Sequence, residues 1–164
     1  MEMVAVTTSG TAKVTLPADN QIRITREFNA PARLVWQAWT TPELVKRWWA
    51  GERGEVTSVE VDLRAGGRWR YVMVADGGFE VAFHGEYQKV VPHERIVSTE
   101  VFEGMPGASS LNTLTLTEHD GRTTLTVLAE YPSKEARDGH LESGMEGGMQ
   151  ESLDKLEQVA VSLA

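Results

Sequence analysis

The chain has no cysteine. Disulfides, thiolate metal sites and cysteine nucleophiles are therefore excluded together, which fits a reducing compartment. It also lacks any run of about eighteen apolar residues, the length a membrane-crossing helix needs. Its first residues, MEMVAVTTSG, have neither the basic start nor the apolar middle of a secretory signal, so a cytoplasmic location is expected. Positive charge is scarce: 16 Lys and Arg against 24 Asp and Glu leave a net charge of −8. Phosphate backbones are bound by clustered cations that release counterions, so nucleic acid is not an expected partner. Histidine is scarce too. His84, His93, His119 and His140 form no HExxH and no pair at ligand spacing with an acid in register, so no metal is expected. No serine sits in a GxSxG elbow, and Gly66-Gly67 and Gly147-Gly148 are neither GxGxxG nor a P-loop. Neither a cofactor nor a set of catalytic residues is expected.

What is present is enough for a core: 164 residues, 41% of them hydrophobic, fit one domain. Residues 1–20 are small, polar and weakly patterned, with at most a short extended piece at Lys13–Leu16, and read as a tail before a single domain over 21–164. The clearest element is the last. From Glu142 to Leu163, Met145, Met149, Leu153, Leu156, Ala160 and Leu163 recur at three- and four-residue intervals, while Glu146, Gln150, Glu151, Asp154, Lys155 and Glu157 fall largely elsewhere. Ser143 with Glu146 has the spacing of a capping box, which predicts the helix start there. Gly144 and Gly148, one turn apart, mean either close approach of helix to sheet or room for a ligand. Met145 and Met149 beside them suit a core gap or an adaptable apolar pocket.

Before that helix, Gln21–Phe28 alternates as a half-buried strand with Ile22, Ile24 and Phe28 on one side. Arg26 breaks the apolar side, and the plain expectation is that it snorkels or pairs with a carboxylate. Pro31 and the Thr41-Pro42-Glu43 group start two short helices that carry four of the five tryptophans, Trp36, Trp39, Trp48 and Trp49. These read as a structural plug or, for one or two of them, as the lining of a cavity mouth. Strand follows strand from there to Tyr131, with turn chemistry at Ala65-Gly66-Gly67, Asp76-Gly77-Gly78, Pro92 and His119-Asp120-Gly121. Short connections between successive strands mean an antiparallel meander. Ser133 opens a helical patch to about His140. The predicted fold class is α+β: one curved antiparallel sheet, two small helices, and a long helix across its inner face. The single acid–base candidate in this pattern is His84 with Glu86 on one strand face, with Arg26 nearby.

The stretches ITREFNAP, LVWQAWTTPELVKRWW, VDLRAGGRWRYVM, FHGEY, PHERIVSTEVF and GRTTLTVLAEYPSKEARDGHLESGMEGGM together resemble the bacterial proteins grouped with the activator of the ninety-kilodalton heat-shock-protein ATPase. That group lies within the START-like or SRPBCC superfamily, which includes the birch-pollen allergen. The resemblance runs from about Gln21 to the C-terminus. It implies the helix-grip fold, a seven-stranded antiparallel sheet around a long C-terminal helix with a hydrophobic cavity between them. It implies binding of a small hydrophobic molecule or lipid there, with a chaperone-partner module or a cyclase- or hydrolase-type enzyme as alternatives, by a monomer or homodimer. The aromatic and methionine side chains expected to line the cavity are Trp36, Trp48, Trp49, Trp69, Tyr71, Met73, Phe83, Tyr87, Phe102, Met145 and Met149, with Gly148 leaving space among them.

Overall fold

The computed structural model describes residues 4–5, 12–105, 109–143 and 145–164. Nine strands form one sheet in the order β1-β2-β3-β9-β8-β7-β6-β5-β4, every neighbouring pair antiparallel. The strands are β1 Val4–Ala5, β2 Lys13–Leu16, β3 Gln21–Phe28, β4 Gly54–Val61, β5 Arg68–Ala75, β6 Glu80–Val91, β7 Arg95–Phe102, β8 Ser109–His119 and β9 Arg122–Glu130. The meander from β4 to β9 is the one the turn residues foretell. The count of seven is corrected by β1 and β2, which lie in the stretch read as a tail. Lys13 is exposed, Val14 is buried, and β2 pairs along the edge of β3, whose backbone donors and acceptors would otherwise stay open.

Helices α1 Ala32–Thr40 and α2 Pro42–Trp48 follow β3. Pro31 stands at the N-cap of α1 rather than inside its first turn. Pro42 and Glu43 start α2 as expected, but Thr41 contributes no side-chain cap bond. Trp48 donates its indole N–H to the carbonyl of Ala38 at 2.9 Å, and its ring lies 5.0 Å from that of Trp39, so the two helices are keyed together by tryptophan.

Helices α3 Lys134–Glu142 and α4 Met145–Ser162 close the chain. Ser133 caps α3 by accepting from the amide of Ala136 at 3.1 Å. Ser143, expected to begin the long helix, instead ends α3, its hydroxyl donating to the carbonyl of His140 at 2.6 Å. Gly144 lies outside the described residues. Arg137 of α3 is buried and donates to the carbonyls of Ala18 and Gln21, which pins α3 to the β2–β3 turn.

The buried stripe of α4 is Gln150, Leu153, Leu156, Val159 and Ala160. Gln150 was expected on the wet side. It is buried because its amide pairs with both backbone groups of Ala12, accepting from the N–H at 3.0 Å and donating to the C=O at 2.9 Å, which satisfies a chain segment crossing the core. Arg26 fulfils the plain expectation. It is 5% exposed, donates to the Leu153 carbonyl and to Asp154 and Glu157, and lies over the Phe28 ring. One arginine thus ties β3 to the middle of α4.

Candidate functional site

The register of the sheet sorts its inner face into rows. Phe28, Leu125, Leu116, Leu114 and Ile96 are buried with Leu153, Leu156, Val159 and Ala160 of α4 and with the α1–α2 bracket. Toward the end of the sheet where α3 and the start of α4 lie, the inner face changes character. Strand β7 alternates Ile96, Ser98, Glu100, Phe102 on that face, and β8 alternates Ser110, Asn112, Leu114, Leu116, with Glu100 opposite Ser110 and Ile96 opposite Leu114. Ser98, Glu100, Phe102 and Asn112 all keep partial exposure although they point inward.

Five rings form a ladder over this half. Trp69 meets Tyr71 at 4.9 Å, Tyr71 meets Trp49 at 5.3 Å, Trp49 meets Phe83 at 5.6 Å, and Phe83 meets Phe102 at 5.1 Å. The edge contacts of Trp49, near 76° and 84°, place ring edges on ring faces, the arrangement aromatic quadrupoles favour. Beside Phe102 on the same strand face lies Glu100. Asn112 donates to Glu100 Oε2 at 3.0 Å, and Ser110 donates to Asn112 Oδ1 at 3.1 Å. Burial pushes the Glu100 carboxyl above the usual carboxylate range, against the opposing pull of Asn112 and Ser110. Tyr71 and Tyr131 are pushed up as well, both first by burial, Tyr71 next by Tyr87 and then Glu100, and Tyr131 next by the negative charge of Glu100. Tyr131 stacks on His140 of α3 at 5.5 Å, and burial lowers the pKa of that imidazole.

Of the expected lining residues, the structure brings together Trp49, Trp69, Tyr71, Phe83 and Phe102, with Met149 packed on the core nearby and Met145 half-buried at the start of α4. It separates the others. Trp36 and Trp48 belong to the closed packing of α1 and α2, Trp36 standing edge-on to His93 of the β6–β7 turn. Tyr87 is buried beside the β4–β5 loop, its amide bonded to the Gly67 carbonyl, and Met73 reaches toward Gly54 on the edge strand. Gly148 opens toward Arg53 rather than the sheet: a Cβ there would stand 3.7 Å from the Arg53 side chain, and one on Gly147 would stand 2.5 Å from its guanidinium. The two glycines make room for Arg53, which reaches Glu151 one turn on.

Glu100, Ser110, Asn112, Tyr131 and His140 were not singled out from the sequence. The available signal was phase: a carboxylate two residues from Phe102 and four from Ile96 must share their face of a strand. The pairing of His84 with Glu86 and Arg26 is corrected. His84 and Glu86 share the outer face of β6, but His84 Nδ1 lies 2.9 Å from Glu103, which Arg70 grips through two bonds at 2.8 and 2.9 Å, while Arg26 is on the inner side. Arg70 first, then His84, holds the Glu103 carboxyl at about 2. These groups border an open depression of about 490 Å³ with Glu60, Arg68, Trp69 and Gly85. Gly85 is required there, since a Cβ would collide with the Thr99 carbonyl. Among the described residues no group of three or more His, Asp or Glu could hold a metal ion, and no helix is long and apolar enough to cross a membrane.

Residues 29–160 match the family described as "Activator of Hsp90 ATPase homolog 1-like protein". The chain belongs to this family. It therefore sits in the START-like, or SRPBCC, superfamily. A Rhodobacter sphaeroides crystal structure shares the fold with TM-score 0.87 at 24% identity, over 93% of this chain and 99% of that one. A Mycobacterium smegmatis crystal structure has TM-score 0.77 at 30% identity, over 86% and 90% of the two chains. DynU16, described as a putative protein in the dynemicin biosynthetic locus, has TM-score 0.64 at 26% identity and covers 86% of this family member but 47% of its own length. No curated protein matches the chain.

Proposed function

We propose that this family member binds a small, flat, uncharged hydrophobic molecule between the upper inner face of the sheet and the α3–α4 end of the helices. The observation that carries the reading is the joining of two unlike surfaces: a five-ring ladder, and beside it a half-buried carboxyl with its own amide and hydroxyl support. A few convergent polar groups set in an apolar lining are the usual make-up of a ligand pocket. A packing role alone would be served better by apolar residues, since burying Glu100 costs free energy that Asn112 and Ser110 offset only in part.

The polar groups also select the ligand. A fatty-acid carboxylate would meet Glu100 as a like charge in a desolvated place, whereas a phenol or alcohol could donate to it. The test is a titration with an environment-sensitive apolar dye followed by displacement. Saturable one-to-one binding is expected, with hydroxyl-bearing flat aromatics displacing the dye before long-chain fatty acids do. Absence of saturable binding across a broad panel would remove the proposal, and fatty acids displacing first would remove the preference for uncharged ligands.

A further inference from the structure

At the far end of β7 from Phe102, the β6–β7 turn and the adjoining part of β8 border an open depression of about 580 Å³ beside the start of α1. Three of its side chains are basic: Lys89, His93 and Arg95. Val91 pairs with Arg95, and Lys89 lies two residues before Val91 on the same face. Lys89 and Arg95 are therefore diagonal neighbours, about 7–8 Å apart at the backbone and within reach of one group between them. Arg95 in turn pairs with Thr115, and Thr117 follows on the same face, which adds two hydroxyl donors. His93 stands in the turn after Pro92 with a positive φ of 66°, at a position usually given to glycine or asparagine. The Glu94 amide on the Val91 carbonyl at 3.0 Å and the Leu116 amide on the Glu94 carbonyl at 2.8 Å fix that turn, and the His93 ring stands edge-on to Trp36 at 6.0 Å. Two acids share the depression. Glu118 is engaged, since it accepts from the Ala32 amide at 2.7 Å with its charge set against the positive end of α1. Glu94 then faces two full cations and an imidazole, a local reversal of sign in a chain of net charge −8.

We propose that this depression binds the phosphate group of a small molecule, at a second site independent of the inner face. A phosphate offers several acceptor oxygens at once, which matches an ammonium, a guanidinium and two hydroxyls brought together from three neighbouring strands. A carboxylate monoanion would meet the same donors with less charge to set against Glu94. Ala32, Val91 and Leu116 supply an apolar part of the lining, suited to the organic portion of a phosphate ester. His93 adds a further argument. Glycine would hold the turn with less strain, yet an imidazole is placed there, at the depression and beside the two cations.

The test titrates the full chain with inorganic phosphate and with phenyl phosphate at constant ionic strength, read by calorimetry. Saturable one-to-one binding is expected. Tighter binding of phenyl phosphate identifies an ester as the source and equal binding identifies free phosphate; either supports the site. Lys89→Gln and Arg95→Gln should each weaken binding about tenfold or more, the loss of one charge-assisted hydrogen bond, and Arg95→Lys should recover part of it. Glu94→Gln should tighten binding by removing the opposing charge. His93→Asn, which tolerates the positive φ, should lower affinity with the melting temperature kept, whereas a purely structural histidine would cost stability and leave affinity per folded molecule unchanged. Lys134→Gln, the same charge change on α3, should have no effect. No saturable binding of either phosphate, or equal weakening in Lys134→Gln and the two lining variants, would overturn the proposal. Displacement of the apolar dye by phosphate would overturn it too, since the two sites lie at opposite ends of β7.

Discussion

The two halves of the inner face are built from one sheet and one helix, yet they obey different rules. In the lower half, Phe28, Leu125 and Leu156 are fully buried and their neighbours on α1 and α2 fill the space between sheet and helix. In the upper half β7 and β8 carry Ser98, Glu100, Ser110 and Asn112 in phase with their apolar residues, and Trp49 meets Tyr71 and Phe83 edge to face instead of interlocking aliphatic chains. The difference teaches that the lower half holds the fold, while the upper half is free to carry groups that cost stability.

The sharpest way to break that division is to truncate one residue in each half. Leu156→Ala should lose about 2–5 kcal/mol, because a cavity remains where packing is dense, whereas Phe102→Ala should lose clearly less and reduce dye affinity instead. Denaturant melts of the two variants decide it, and equal losses would erase the distinction. Arg26→Ala comes next, at about 1–3 kcal/mol, since the Leu153 carbonyl loses a donor inside the core and the stacking over Phe28 disappears. Arg26→Met, which keeps the stem, should recover part of it by the same measurement.

Glu100→Gln should act in the opposite direction. Its folded pKa is raised, so its stabilising contribution is complete below the unfolded carboxyl pKa and is lost as pH rises through the folded value. Melting temperatures at several pH values should show the variant gaining on the wild type toward alkaline pH, and a constant difference would contradict the assignment. Gly148→Ala should be nearly silent or stabilising by up to about 1 kcal/mol from helix propensity, because its new methyl meets only the flexible Arg53 in ordinary contact. Dye affinity should not change, and a large fall in it would put Gly148 back in the ligand site. The smallest effect belongs to the outer face. Glu103 has its pKa depressed to about 2, so its contribution is present above the unfolded carboxyl pKa and disappears as pH falls toward that value. Glu103→Gln should therefore lower neutral stability slightly, the pair being solvent-screened, and flatten acid melts over that window.

Much of the fold was legible because it rests on local signals. The turns at Gly66-Gly67, Gly77-Gly78 and Asp120-Gly121 punctuate a meander whatever surrounds them, with positive φ at Gly66, Gly77, Gly78, Asp120 and Gly121. The i, i+3, i+4 stripe of α4 found Leu153, Leu156 and Ala160 for the same reason. Gln150 and Arg137 were not legible, because a polar side chain is buried only when a distant backbone, Ala12 for one and Ala18 with Gln21 for the other, is brought to it. β2 was half legible: its alternation is in the residues, but its partner is not.

The site divides along the same line. Composition and spacing by themselves determined an antiparallel sheet packed on a long C-terminal helix, a chain without thiols, and four of the five tryptophans placed with two short helices. Only the tertiary structure decided which aromatics are plug and which are ladder, because Trp36 and Trp49 have identical side chains and differ in the neighbours that the α1–α2 bracket gives them. Only the sheet register decided that Glu100 faces inward between Ser98 and Phe102, and that Asn112 on the next strand reaches it. A sequence states the period of each strand; the cross-strand pairing, fixed by hydrogen bonds among residues far apart in the chain, determines which polar side chains meet inside.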